Sequence, residues 1–189
     1  MQTISEFTPD GETPPVPVQV HGVLIRVNDT GVLLVGESGT GKSECALDLV
    51  MDGHQLVADD VIEISLSNDE IVGRAPELTS DLMEIRGLGM INVRELFGES
   101  ATCSESVIDF CIELQTSSDV ERIGNVIQRH SIAGTSVPKF ILPVSLGRYL
   151  PTLVVTAVRI HRAPRSHAAV TAALLENHAA LLESAALDR

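Results

Sequence analysis

The sequence predicts an α/β domain, and three observations support this prediction. Residues 36–43 have the spacing G-x-x-x-x-G-K-S and directly follow the apolar run at residues 31–35. The helix-like segment ECALDLV comes next, so the order is strand, glycine-rich loop, helix. Hydrophobic residues make up 44% of the 189 residues and aromatic residues only 3%. The core must therefore consist of Val, Leu, Ile and Ala, as in sheets that helices cover.

The glycine-rich loop has the chemistry of a phosphate-binding P-loop. Its glycines allow a curled backbone that points several N–H groups at one anion. Lys42 adds a positive charge for the β- and γ-phosphates, Ser43 offers a hydroxyl to Mg²⁺, and the following helix adds its dipole. A plain surface turn would not explain why Lys-Ser opens a helix. We therefore predict a nucleotide or polyphosphate site formed by Gly36, Glu37, Ser38, Gly39, Thr40, Gly41, Lys42, Ser43 and Glu44.

Composition limits the partners and the compartment. The formal net charge is −13 and the isoelectric point about 4.7, which disfavours binding to nucleic acid or to anionic membranes. An anionic phosphate ligand then needs concentrated positive charge, which Mg²⁺ can supplement. The three cysteines show neither CxxC nor zinc spacing, and no apolar run reaches the length of a membrane span. We expect a cytoplasmic protein.

The first part of the chain is read as a lead-in followed by sheet elements. Residues 1–17 are polar and proline-rich and are expected to be flexible, whereas residues 18–189 form one domain. The pattern predicts strands at residues 18–27, 32–35 and 54–58, a helix from 43 to about 52, and a hairpin of residues 61–66 and 70–74.

The second part of the chain is less regular. The pattern predicts a helical turn at residues 94–97, a strand at 107–114 and a mobile loop at 124–136. An edge or bent strand at 137–144 and a strand at 153–160 follow, and a C-terminal helix at 166–187 completes the domain.

Two adjacent acids, Asp59 and Asp60, follow the strand at 54–58 and are candidates for catalysis. In P-loop enzymes an acid in such a place holds Mg²⁺ or acts as a base. Held close together, two like charges raise one pKa, which suits acid–base work. An acidic turn that promotes solubility is the alternative. His21 could reach these carboxylates if its strand lies beside the loop strand; otherwise it is a half-buried histidine.

Other polar residues carry weaker signals. Glu84 and Arg86 precede a Gly-Leu-Gly stretch that by itself indicates a tight turn. Four basic residues could supply transition-state charge, and the sequence alone does not rank them: Arg122, Arg129, Lys139 and Arg148.

Together these residues resemble a known family. HGVL at residues 21–24, GESGTGKSE at 36–44, GHQLVADD at 53–60 and EIRGLGMINVRELFG at 84–98 are similar to the catalytic domain of HPr kinase/phosphorylase, with matching order across about residues 21–159. The resemblance implies ATP-dependent phosphorylation of a serine of HPr, the phosphocarrier of the sugar phosphotransferase system. It also implies the reverse phosphorolysis, which consumes phosphate and releases pyrophosphate. The implied fold resembles phosphoenolpyruvate carboxykinase, with a curved mixed or antiparallel sheet, and the implied assembly is a hexamer.

The resemblance also implies roles for individual residues. Asp59 matches the catalytic base, Asp60 would support Mg²⁺ or the base, and His21 matches the histidine that interacts with the catalytic aspartate. Lys42 and the loop amides would hold the β-phosphate of ATP or pyrophosphate. Ser43 and Glu84 match the Mg²⁺ ligands, and Arg122 is similar to an active-site arginine.

The chain also departs from the family pattern. Longer members carry an N-terminal domain, and the initial Met with its acidic lead-in favours a naturally short form. Residues 122–136 and the alanine-rich tail differ from the usual pattern, which leaves the acceptor and the balance of the two activities open. The acceptor could be a nitrogen-related carrier. Two further hypotheses are a kinase of a small hydroxyl compound such as serine, and a nucleotide-sensing module without chemistry.

Overall fold

The computed structural model describes residues 18–68, 70–116, 128–144 and 149–163. The predicted lead-in, the tail helix at 166–187, Arg122 and Arg148 lie outside these residues. The described strands are β1 (Val18–Val27), β2 (Thr30–Gly36), β3 (Gln55–Ser67), β4 (Glu70–Arg74), β5 (Leu82–Ile85), β6 (Gly89–Asn92), β7 (Glu105–Val107), β8 (Phe110–Gln115), β9 (Gln128–Ile132) and β10 (Thr135–Pro143). The described α-helices are α1 (Lys42–Met51), α2 (Val93–Phe97) and α3 (Leu150–Arg162).

Eight of these strands form one mixed sheet in the order β7-β4-β3-β1-β2-β8-β10-β9. Its neighbours are antiparallel except at β2 with β8 and β8 with β10, which are parallel. Strands β5 and β6 form a separate antiparallel hairpin. A large mixed sheet with few helices confirms the α/β class. None of the described helices has the length and apolar character that crossing a membrane requires.

The two faces of the sheet pack into two apolar clusters. Leu34 and Ile112 belong to a cluster that includes residues of α1 and α3, whereas their chain neighbours Leu33 and Cys111 belong to the other cluster. This is the alternation that a strand imposes on successive side chains. Strand β2 is therefore apolar on both faces, and its end at the glycine-rich loop is held by packing on each side.

The prediction of a strand at residues 153–160 was wrong, because this segment lies in helix α3. Val154, Ala157 and Val158 are buried while Thr156 is exposed, a helical rather than an alternating pattern. Pro151 sits in the first turn, where a missing N–H costs nothing. Burial on one stripe outweighed the strand preference of the β-branched residues.

The prediction placed Asp59 and Asp60 at the end of a strand, whereas in the structure both residues lie within one. Strand β3 runs unbroken through them, and Asp60 has a φ of 69°, which sets it apart from regular strand geometry. Sequence rules place Asp outside strands, and here the pairing with β1 keeps both residues in the ladder. The predicted hairpin of residues 61–66 and 70–74 is confirmed by the β3–β4 pairing.

The C-terminal sheet elements also differ from the prediction. Strand β9 and the start of β10 occupy residues predicted as a mobile loop, joined by a turn at Ala133 and Gly134 with positive φ. Strand β10 is not an edge strand, because it lies between β8 and β9. Pro138 comes just before the part of β10 that pairs with β8. The strand predicted at 107–114 is broken at residues 108–109, between β7 and β8. Asp109 accepts a hydrogen bond from Gly31 N there, at 2.7 Å.

Candidate active site

The glycine-rich loop connects β2 to α1, as predicted. Gly36, Gly39 and Gly41 have φ values of 144°, 81° and 87°, which side chains with a Cβ rarely adopt. Gly41 is the N-cap of α1 and makes no side-chain capping bond. The first N–H groups of the helix are thus available to a ligand, which is the arrangement that binds anions at helix N-termini.

Two side chains order the loop from within. Thr40 is buried, and its hydroxyl donates to the carbonyl oxygen of Glu37 at 2.9 Å. The ammonium of Lys42 donates to the carbonyl oxygens of Gly36 at 2.9 Å and of Glu37 at 2.8 Å. Lys42 therefore holds its charge at the loop backbone.

Asp59 is buried, and each of its carboxylate oxygens accepts a hydrogen bond. Ser43 Oγ donates to Oδ1 at 2.9 Å, and the backbone N–H of Glu84 donates to Oδ2 at 3.0 Å. Burial raises the pKa of Asp59, and the charge of Asp60 adds to the rise, while the two hydrogen bonds oppose it. Asp59 thus joins α1, β3 and β5 at one point.

Asp60 has a different environment from its neighbour. Its side chain is 84% exposed, and its Oδ1 lies 3.8 Å from Nδ1 of His21, which is 81% exposed. The antiparallel register places Gly22 opposite Asp60 and His21 opposite Val61, so His21 and Asp60 are one residue out of register on neighbouring strands. The condition under which His21 could reach the carboxylates is met, since β1 pairs with both β2 and β3.

These groups open on one cavity of about 540 Å³. Its charged or titratable lining residues are His21, Lys42, Glu44, Asp59, Asp60, Glu84 and Arg86. Ser38, Ser43 and the loop glycines also belong to the wall, whereas Glu37 and Thr40 do not. Of the residues proposed from the sequence, Arg122 lies outside the described part of the chain.

Arg86 is a wall residue to which sequence reasoning gave no role. It follows β5, and its guanidinium lies beside the apex of the glycine-rich loop. A Cβ built on Gly39 would be 3.4 Å from Nη2 and 3.7 Å from Nη1 of Arg86. The only available signal was its place next to Glu84 and the glycines, which the sequence shows as a turn.

The oxygen groups around the loop suit a magnesium ion. Ser43, Asp60 and Glu84 offer only hard oxygen donors, with Asp59 bonded to Ser43 behind them. In the described residues no three His, Cys, Asp or Glu side chains converge as a self-sufficient metal site. Mg²⁺ keeps several waters and needs only one or two carboxylates together with substrate phosphates, and Glu84 and Asp60 could offer these.

The fold and the site define an α/β domain in which a glycine-rich loop at the start of a helix faces paired carboxylates. A family model described as HPr Serine kinase C-terminal domain matches residues 16–178. The chain belongs to this family.

Named relatives agree with this assignment. The chain is 45% identical over 148 residues to an HPr kinase/phosphorylase of Leptospira biflexa, covering 75% of this chain and 46% of the relative. It is 40% identical over 141 residues to one of Mycoplasmopsis pulmonis, covering 72% and 46%. The chain thus spans about half the length of the curated relatives it matches.

A solved structure extends the agreement to the fold. The structure of the Hpr(Ser) kinase/phosphatase from Coxiella burnetii matches with a TM-score of 0.74 at 32% identity. The match covers 83% of this chain and 98% of that one.

Proposed function

We propose that this chain catalyses ATP-dependent phosphorylation of a serine on an HPr-like phosphocarrier protein, and the reverse phosphorolysis of that phosphoserine. The observation that carries the proposal is the convergence of the glycine-rich loop, Ser43, both aspartates and His21 on one cavity. The names of its relatives, HPr kinase/phosphorylase, support the reaction class.

The loop is the binding element for the polyphosphate of ATP or of pyrophosphate. Its amides and the dipole of α1 bind phosphate oxygens, and Lys42 transfers its hydrogen bonds from the loop carbonyls to the β-phosphate. Binding in this geometry aligns the terminal phosphorus with an acceptor that enters from the cavity mouth.

The geometry favours Asp60 over Asp59 as the base, which reverses the roles that the resemblance suggests. Both oxygens of Asp59 are engaged, and the residue is buried. A seryl hydroxyl on another protein approaches an exposed carboxylate more readily than a buried one, and Asp60 is exposed. The His21 ring, with its Nδ1 3.8 Å from Oδ1 of Asp60, would orient this carboxylate toward the acceptor.

Mg²⁺ would be held by Ser43, with Glu84 and Asp60 near it, and when bound would neutralise charge on the transferring phosphoryl group. Asp59 positions Ser43, because the hydroxyl hydrogen of Ser43 is held at Asp59 Oδ1. The lone pairs of Ser43 Oγ then remain available to another partner.

The chemical step moves one phosphoryl group and one proton. In the forward direction the seryl oxygen bonds to the γ-phosphorus, the bond to ADP breaks, and the seryl proton passes to Asp60. In the reverse direction an oxygen of inorganic phosphate bonds to the phosphoserine phosphorus. The bond to the seryl oxygen breaks, that oxygen receives the proton, and pyrophosphate leaves.

Incubation of the purified protein with ATP, Mg²⁺ and HPr tests the proposal, with phosphoserine detected by mass spectrometry. HPr whose target serine is changed to alanine is the matched control. Phosphorylation of free serine instead of HPr would favour the small-molecule kinase, and binding without transfer to any acceptor would favour the sensing module. We further propose a cytoplasmic homo-oligomer, by resemblance a hexamer, and light scattering of the same sample tests its size.

A further inference from the structure

We propose that Arg86 is a phosphate-binding residue of the site, donating from its guanidinium to a phosphate oxygen of the polyphosphate on the glycine-rich loop. The inference deepens the proposed function and rests on it. It concerns a residue that neither the loop pattern nor the paired acids point to.

The position of Arg86 is fixed by the protein backbone. It directly follows β5, whose Glu84 N–H donates to Asp59 and whose Ile85 side chain is buried. The chain then turns tightly, with Leu88 N donating to Ile85 O at 3.0 Å. The base of the Arg86 side chain is thus tied to the same aspartate that holds Ser43.

The guanidinium lies against the part of the loop where no side chain intervenes. Its two terminal nitrogens are 3.4 Å and 3.7 Å from the place that a Cβ of Gly39 would occupy. The Gly39 backbone has a φ of 81°, so glycine is favoured there on torsional grounds as well. Arg86 therefore reaches directly over the loop backbone whose amides bind the anion.

Arg86 has no carboxylate partner among the described residues. Among the other described arginines, three pair with a carboxylate, namely Arg26, Arg74 and Arg94, and the rest do not. Arg86 differs from the other arginines without a carboxylate partner in that it lines the cavity. Its five donors are free for a ligand with acceptor oxygens.

The charge balance of the cavity makes a second cation necessary for a polyphosphate. The wall carries four carboxylates, on Glu44, Asp59, Asp60 and Glu84. Against these stand Lys42 and Arg86, with His21 contributing only when protonated. Without Arg86, Lys42 would be the only permanently charged cationic side chain among the lining residues, and Lys42 with Mg²⁺ would have to offset both the carboxylates and the phosphates. A guanidinium also binds phosphate through two parallel hydrogen bonds, which an ammonium cannot make.

The test is calorimetric binding of inorganic pyrophosphate with Mg²⁺ to the purified protein and to three variants. Arg86→Gln should weaken binding about ten- to hundredfold, the effect of losing hydrogen bonds to a charged group. Arg86→Lys keeps the charge and should recover part of this loss. Arg74→Gln changes the net charge equally at a residue that does not line the cavity, and this variant should bind pyrophosphate as the unsubstituted protein does.

Each outcome decides the matter. Binding by Arg86→Gln equal to that of the unsubstituted protein would overturn the role of Arg86 and leave the proposed function standing. Equal weakening in Arg86→Gln and Arg74→Gln would also overturn it, since net charge alone would then explain the effect. If the unsubstituted protein neither binds pyrophosphate nor transfers phosphate, the proposed function and this inference both fail. Arg86 is exposed and unpaired, so unchanged thermal unfolding should accompany the loss of binding.

Discussion

Ser43 Oγ donates a 2.9 Å hydrogen bond to Asp59 Oδ1, which joins the first turn of α1 to the middle of β3. The hydroxyl that would meet the metal ion is therefore oriented by a buried carboxylate from a different element. The carboxylate is itself fixed by the N–H of Glu84. Displacement of the Ser43 hydroxyl, the Asp59 carboxylate or the Glu84 N–H would therefore shift the other two groups.

Ser43→Ala should weaken Mg²⁺-dependent nucleotide binding and also lower the stability of the protein. The change leaves Oδ1 of a buried carboxylate without its donor, which costs about 1–3 kcal/mol. Because this hydrogen bond lowers the pKa of Asp59, its loss should raise that pKa further. Titration with ADP at several Mg²⁺ concentrations and urea unfolding measure the two effects. Ser65→Ala, at an exposed position of β3, the strand that carries Asp59, is the control. It should change neither nucleotide binding nor stability.

Replacement of the two aspartates should separate their roles. Asp60→Asn should reduce phosphate transfer about 10²- to 10⁴-fold, the usual contribution of a base, and leave nucleotide binding intact. Asp59→Asn should instead raise the Mg²⁺ concentration that half-saturates the reaction, because it disturbs the hydrogen bond that positions Ser43. Transfer assays over a range of Mg²⁺ concentrations distinguish these results. The opposite pattern would return the base to Asp59.

Lys139→Met should reduce the loss of stability in acid. Glu113 on β8 accepts a 2.7 Å hydrogen bond from Lys139 on β10, and this bond, followed by one from Gln115, holds the pKa of Glu113 below its ordinary 4.5. The charge of Lys139 lowers this pKa too, and His130 on β9 adds a smaller effect in the same direction. A carboxyl whose folded pKa is lowered stabilises the protein above the ordinary value, and the contribution is lost as pH falls through the folded value.

The acid effect is measured as the difference in unfolding free energy between Lys139→Met and the unsubstituted protein from pH 7 to pH 3. We expect a difference of about 1 kcal/mol at pH 7 that shrinks toward zero in acid. Lys139→Arg should keep most of the pH dependence. A difference that does not change with pH would show that Lys139 contributes through packing alone.

Two lysine substitutions in α3 distinguish a helix from a strand. In the helix Thr156 is exposed and Ala157 is buried, so Ala157→Lys should cost more than about 3 kcal/mol while Thr156→Lys costs little. In a strand that buries Val154 and Val158, residue 156 would be buried with them and the order of the effects would reverse. Thermal unfolding of the two variants side by side gives the answer.

The glycine-rich loop could be predicted because the residues that determine its structure and charge are consecutive in the sequence. Backbone torsion, helix start and charge are all local properties of residues 36–43, and the observed φ values of Gly39 and Gly41 agree with them. The neighbourhood of His21 and Asp60 could be proposed only on a condition, since it depends on a strand pairing between residues far apart in sequence.

The features that were missed are non-local. Asp60 lies within a strand because β1 supplies the ladder, and no propensity of Asp indicates this. Helix α3 is rich in β-branched residues, and its state was decided by the stripe that packs on the sheet. The approach of Arg86 to Gly39 joins the glycine-rich loop to the β5–β6 turn, and a contact of that kind leaves no periodic signal.

The hydrogen bonding of strand β2, which ends in the glycine-rich loop, is completed late in synthesis. Strand β2 is bonded on one side to β1 but on the other to β8, which the ribosome adds only after the loop, both acids and Arg86. A polypeptide that stops before Phe110 would carry every described wall residue of the cavity and still present an open, apolar edge. Such edges template aggregation. A minimal soluble fragment for phosphate-binding studies must therefore extend past Gln115, and nascent chains stalled earlier are expected substrates for chaperones.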